Sequence, residues 1–141
     1  MIDLRIRAAT PDEAEAVLAF WKESAHGTSV SDDVHGVRRL IDRDPEALLL
    51  ALADGLIVGS VIAGWDGWRA SLYRLAVLPS YRRRGISTAL LRAAEERFAA
   101  LGGRRVDAMV LETNETGRRL WSAAGFVREE RWRRWVKPLT G

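Results

Sequence analysis

Residues 72–91 run Leu72-Tyr73-Arg74-Leu75-Ala76-Val77-Leu78-Pro79-Ser80-Tyr81-Arg82-Arg83-Arg84-Gly85-Ile86-Ser87-Thr88-Ala89-Leu90-Leu91. An apolar strand ends at a proline, a basic loop follows, and a helix opens on small residues. The first turn of a helix carries amide hydrogens without intrahelical partners and the positive end of the macrodipole. Gly85 and Ser87 leave that backbone approachable, and three arginines stand beside it. Such an arrangement suits a phosphate or pyrophosphate bound without a metal. It is not a nucleoside-triphosphate loop, because no Gly-Lys-Ser/Thr ending follows, and it lies too far along the chain for a dinucleotide fingerprint. On spacing alone, a solvated arginine cluster ahead of a helix fits equally well.

Upstream lie two more strand-like runs. Ala47 to Ala53 ends at Asp54-Gly55, and Leu56 to Trp65 ends at Asp66-Gly67, both hairpin signals; Arg69 to Leu78 is then the third strand, closed by Pro79. Near the start, Ile2, Leu4 and Ile6 alternate with Asp3, Arg5 and Arg7 as a half-buried strand. Thr10-Pro11-Asp12-Glu13 is a capping box ahead of a helix with Ala14, Val17, Leu18 and Trp21 on one face. A polar stretch from Ser24 to Ser31 leads to a second helix, with Val34, Val37 and Ile41 on one side, that stops before Pro45.

Downstream, the central helix runs from Gly85 to Leu101, with Ile86, Leu90, Ala94, Phe98 and Leu101 as its buried stripe, and stops at Gly102-Gly103. Val106 to Leu111 reads as a strand, Glu115 to Ala124 as a helix, and Trp132 to Val136 as a last strand. The order β-α-α-β-β-β-α-β-α-β predicts one α/β domain over 1–141, with a mixed, mostly antiparallel sheet flanked by helices.

Composition narrows the function. The 22 Lys+Arg oppose 19 Asp+Glu for a net charge of +3, so the field is weak and the basic pI reflects arginine that does not deprotonate. Without cysteine there is no disulfide, thiolate metal site or cysteine nucleophile. Two histidines, His26 and His35, are too few for a histidine-built zinc site, and no metal is expected. No apolar run approaches the roughly 20 residues of a membrane span, and no secretory signal is evident. A cytoplasmic protein is expected.

Leu75, Val77, Pro79, Arg82, Gly85 and Ser87 resemble the cofactor-binding signature of the GNAT superfamily of N-acetyltransferases, with Ser87 where glycine or alanine is usual. A second stretch, Asn114-Glu115-Thr116-Gly117-Arg118-Arg119-Leu120-Trp121-Ser122-Ala123-Ala124-Gly125-Phe126, resembles the family's Asn-x-x-Ala-x-x-Leu-Tyr-x-x-x-Gly-Phe. The resemblance implies the acyl-CoA N-acyltransferase fold. It also implies an acetyl-CoA-dependent enzyme that moves an acetyl group to a primary amine by direct attack on the thioester.

By that resemblance, the backbone of Leu75, Ala76 and Val77 orients the pantetheine arm, and the amides of Arg83, Arg84, Gly85, Ile86, Ser87 and Thr88 cradle the pyrophosphate. Asn114 reaches the pantetheine from the other side. Trp121 stands where many relatives carry a tyrosine that protonates the leaving thiolate; an indole shapes the sulfur site but is no general acid. Met109 stands where some relatives carry a basic glutamate. Tyr73 is then the titratable candidate, placed by strand alternation on the face of Leu75 and Val77, with a packed structural tyrosine as the plainer reading. Glu23, His26, Asp66 and Glu112 could act through a water.

The implied acceptor cleft draws on Trp21, His26, Trp65 and Trp68, and Asp32-Asp33 either attract a cation or compensate a helix N-terminus. The acceptor amine belongs to a small molecule or a protein. Trp132 and Trp135 among Arg131, Arg133 and Arg134 suit a homodimer edge, a nucleic-acid face or simple sheet completion. Two other functions stand beside the enzyme. A non-catalytic acyl-CoA sensor fits the missing tyrosine and glutamate. A basic nucleic-acid-binding module leaves the Gly85/Ser87 spacing and the Asn114 motif unexplained.

Overall fold

The computed structural model describes residues 3–25, 32–110 and 114–139. Ile2, His26, Leu111 and Glu112, all named above, lie outside them. The chain divides into two compact units, Met1–Met109 and Val110–Gly141.

In the first unit the turn chemistry sets the sheet. Asp54 and Gly55 adopt φ of +53° and +74°, a two-residue turn whose twist suits a hairpin, so β2 (Leu48–Ala53) folds back onto β3 (Leu56–Trp65). The next connection is wider. Asp66 Oδ1 accepts the N–H groups of Trp68 and Arg69 at 2.8 and 2.7 Å, Gly67 takes φ +94°, and β4 (Ala70–Val77) returns antiparallel. With β1 (Arg5–Ala8) and β5 (Val106–Ala108) the sheet order is β1-β2-β3-β4-β5, parallel only between β4 and β5. The expected mixed, mostly antiparallel α/β architecture is what forms.

Adjacent residues of β3 define the two faces. Gly59 faces α3 (Ile86–Leu101): a Cβ there would lie 2.9 Å from Ile86 Cγ2 and 3.0 Å from Leu90 Cδ1. Ser60 points the other way, toward α1 (Ala14–Ser24), whose Trp21 Nε1 donates to Ser60 Oγ at 2.9 Å. On that second face α1 buries Ala14, Val17, Phe20 and Trp21, and α2 (Val34–Arg43) buries Val37 and Ile41, against Leu48 and Leu50 of the sheet. On the α3 stripe Leu91 is buried and Leu101 is half exposed, because the helix has turned past the sheet by its last turn.

The capping box is tied down by charge. Arg7 reaches both carboxylate oxygens of Glu13, at 2.7 and 2.8 Å, and the Thr10 N–H donates to the same carboxylate. Chiefly through the Arg7 hydrogen bonds, the Glu13 pKa is lowered to about 2. The folded value lies below the unfolded one, so the stabilisation is complete above the unfolded pKa and is lost as pH falls toward the folded value. Glu13→Gln is therefore expected to flatten the acid limb of a melting-temperature profile between about pH 5 and pH 2. Superimposable limbs for wild type and variant would refute this.

The second unit contains α4 (Glu115–Ala123) and no strand among its described residues. The strand expected over Trp132 to Val136 does not form. Period-two alternation would put Trp132, Arg134 and Val136 on one face and Arg133 and Trp135 on the other, so neither face is apolar. Trp132, Trp135 and Val136 are exposed instead.

Candidate functional site

The site begins where β4 loses its parallel neighbour. Among the described residues, β5 pairs with β4 from Ala70↔Val106 to Leu72↔Ala108, while pairing with β3 continues to Val77↔Gly59. Among the described residues, no pairing of β4 with β5 is formed beyond Leu72. Leu78 N–H donates to Val58 O at 2.9 Å, and antiparallel ladders alternate, so the Val77 N–H and C=O point away from β3, toward the β5 side. Strand edges that splay while staying paired on the far side leave backbone donors and acceptors for a ligand.

A bulge lies in the stretch of β4 beyond its pairing with β5. Ile62 pairs with Tyr73 and Ser60 with Ala76, so Arg74 and Leu75 together oppose Val61, with Arg74 at φ +53°. The bulge corrects the expected facing of Tyr73. Its side chain shares a face with Ala76, on the α1 and α2 side, and not with Val77. Tyr73 is also half exposed rather than packed. Alternation from the sequence cannot foresee an inserted residue.

After β4, Pro79–Tyr81 makes a 3-10 turn and the basic loop leads into α3. Gly85 is the N-cap at φ +79°, and no described side chain caps this helix, in contrast to α2, capped by Asp33, and α4, capped by Asn114. Among the described residues, and leaving aside its two chain neighbours, no heavy atom lies within 4 Å of where a Gly85 Cβ would stand. Arg82, Arg83 and Arg84 are exposed, and Arg83 has φ +63°. Arg84 lies 5.2 Å over the Tyr81 ring, and the Tyr81 hydroxyl donates to Asp54 at 3.0 Å, which anchors the loop to the β2–β3 hairpin. That bond raises the Tyr81 pKa. Ile86 is buried by its contact with the sheet, so only its amide faces the loop; Ser87 is half-buried and Thr88 exposed. A helix start with no side-chain cap among the described residues, flanked by cations, fits a diphosphate.

In the second unit, Asn114 Oδ1 accepts from Gly117 N–H at 2.9 Å, leaving the Nδ2 hydrogens available. The expected capping role is thus present. Trp121 makes an edge-on contact with Phe126, ring centroids 4.9 Å apart, and Phe126 N–H donates to Trp121 O around Gly125 at φ +94°. This is a Schellman ending with its hydrophobic contact, and it accounts for the Gly-Phe that closes the second motif.

The other candidates separate. Asp66 is a turn carboxylate, its pKa lowered by the Arg69 and Trp68 N–H groups, which makes it a poor base. Glu23 is exposed on α1. Trp65 lies on the α3 face, where its ring would be 3.3 Å from a Cβ on Gly103, and Trp68 is exposed at the far end of β4 from the bulge. Neither belongs with Trp21. Asp33 caps α2, whereas Asp32 forms an ion pair with Arg74. Arg74, Asp32 and Ser60 were not legible as a group; the only hint was a serine inside the apolar run of β3. No group of three or more His, Asp or Glu suited to a metal occurs among the described residues, and no described helix is long and apolar enough to cross a membrane.

Comparison with known proteins agrees with this geometry. Residues 14–126 match the Acetyltransferase (GNAT) family. An acetyltransferase of Pectobacterium atrosepticum is 37% identical over 112 residues, 79% of each chain. Among solved structures, the PaiA N-acetyltransferase of Thermoplasma acidophilum in complex with coenzyme A has a TM-score of 0.78 at 20% identity, covering 90% of this chain and 91% of that one. The aminoglycoside N-acetyltransferase AAC(6')-Iy in complex with CoA has a TM-score of 0.76 at 24% identity, covering 97% and 96%. The protein belongs to the GNAT acetyltransferase family. It is an N-acetyltransferase with acetyl-CoA as its cosubstrate.

Proposed function

We propose that residues 1–141 form one N-acetyltransferase domain in which α3 and the β5-facing edge of β4 hold the acyl donor and the α1–α2 side presents a primary amine. The family match runs from 14 to 126, across the boundary between the two units, which supports reading them as one domain. The observation that carries the reading is the helix start at Gly85, with no side-chain cap among the described residues, following the stretch of β4 beyond its pairing with β5 that ends at Val77. The amides of Gly85 to Thr88 bind the pyrophosphate with help from Arg83 and Arg84. The backbone of Leu75, Ala76 and Val77 orients the pantetheine arm. Acetyl-CoA supplies an activated acetyl thioester.

The Val77 N–H, aimed away from β3, is the donor for the oxyanion that develops as the amine attacks. The new N–C bond forms as the C–S bond breaks, the amine proton leaves to water, and the thiolate departs and takes a proton from solvent. Trp121, packed edge-on against Phe126 at the end of α4, is assigned a structural part. Trp121→Phe is expected to lower kcat by far less than the ~100-fold that loss of a general acid brings; a loss of that size would return Trp121 to the chemistry.

The acceptor is a small-molecule or protein amine. Use of acetyl-CoA supports a cytoplasmic setting, and the exposed Trp132 and Trp135 support self-association of copies. The test is CoA release on mixing acetyl-CoA with spermidine, a lysine-bearing peptide and an aminoglycoside. Release with at least one amine is expected. Tight acetyl-CoA binding with no release across the set would favour a sensor.

A further inference from the structure

Arg74 is held in a backbone conformation, φ +53°, that residues other than glycine rarely adopt. Two links to the α1–α2 side secure it. Through the backbone, the Arg74 carbonyl accepts from Ser60 Oγ at 2.8 Å, and that hydroxyl oxygen in turn accepts from Trp21 Nε1 at 2.9 Å. Ser60 and Trp21 are buried, so losing this serine would strand a donor and an acceptor. Through the side chain, the guanidinium pairs with Asp32 and lies 5.6 Å over the Trp21 ring. Asp32 immediately precedes Asp33, the N-cap of α2. The pair is 14% and 20% exposed, so solvent screens it less than a surface bridge.

One residue therefore joins two parts of the site. Its backbone shapes the bulge three residues before Val77, and its side chain grips the start of α2. We propose that Arg74 is a positioning residue that holds the α1–α2 wall in register with the donor-binding edge of β4, so that an amine on that wall meets the acetyl carbon. This rests on the donor site proposed above.

Arg74→Gly separates the two roles, because glycine accepts φ +53° and keeps the bulge while deleting the grip on Asp32. Its melting temperature is expected to be no lower than that of the wild type, and its acetyl-CoA affinity by calorimetry within about threefold. The amides of Gly36, Val37 and Arg38 are expected to exchange hydrogen roughly tenfold faster. For whichever of spermidine, the lysine peptide or the aminoglycoside the wild type acetylates, kcat/KM should fall about tenfold or more with the KM for acetyl-CoA unchanged. Asp32→Asn should speed α2 exchange in the same direction, with less than additive effect in the Arg74→Gly background, and Arg74→Lys should restore part of the loss. If the wild type binds no acetyl-CoA, the donor-site reading fails and the positioning role falls with it. If the wild type binds it and Arg74→Gly leaves α2 exchange unchanged, or weakens acetyl-CoA binding more than tenfold, the positioning role alone is overturned.

Discussion

Gly85→Val is expected to weaken acetyl-CoA binding by about tenfold or more, while the protein still folds. The reason is conformational. Gly85 sits at φ +79°, and a Cβ there would meet no described heavy atom within 4 Å outside its two chain neighbours, so the cost to the fold is mainly that of the backbone conformation. A β-branched residue in the left-handed region costs about 1–2 kcal/mol, and relieving that strain re-aims the first-turn amides. The added methyl groups also stand in the space from which a diphosphate would approach. Such strain translates into roughly 3–8 °C of melting temperature for a domain of this size.

Gly102→Val is the matching control. Gly102 ends the same helix at φ +87°, and a Cβ there would likewise meet no described heavy atom within 4 Å outside its chain neighbours, so its substitution should cost similar stability and leave acetyl-CoA affinity unchanged. Equal loss of affinity in both variants would mean that general destabilisation, and not the helix start, explains the first result.

Gly59→Val should have the larger effect on stability. The Cβ alone would meet Ile86 Cγ2 at 2.9 Å, Leu90 Cδ1 at 3.0 Å and the Ala51 Cβ at 3.3 Å. Ile86 and Leu90 are almost wholly buried, so they have little room to withdraw, and valine adds two further methyl groups. Overpacking of this kind costs about 1–3 kcal/mol, or more where several neighbours must move. The displacement also has a functional consequence. Ile86 is the first residue of α3, so lifting it from β3 moves the amides assigned to the pyrophosphate. Thermal melts should show a drop of roughly 5–15 °C, with weakened acetyl-CoA binding in the folded fraction. Gly59→Ala should fall between valine and wild type. A fully stable Gly59→Val would show that α3 does not rest on β3 this closely.

Local signals in the sequence were read correctly where the determinant is itself local. Asp54-Gly55 specifies a two-residue turn from its own φ preferences, Gly102 stops α3 for the same reason, and Asn114 announces a helix start. The strand–turn–helix of residues 72–91 follows from proline, glycine and apolar spacing, and with it the candidate phosphate site. What could not be read depends on partners distant in the chain. The bulge at Arg74 is a property of register against β3, and its supports, Ser60, Trp21 and Asp32, lie 14, 53 and 42 residues away. Tyr73 was assigned the wrong neighbours for that reason. Trp65 was grouped with Trp21 because both are aromatic, whereas the pleat puts them on opposite faces. At Trp132 to Val136 aromatic content suggested a strand, yet the apolar residues do not recur every second position.

The most direct test is an amide-resolved NMR titration of the protein with CoA. The largest shifts are expected at Gly85, Ile86, Ser87 and Thr88, with a second group at Leu75 to Val77. Pantetheine without the nucleotide should move only the second group. Saturable CoA binding that leaves the amides of residues 85–88 unmoved would contradict the account.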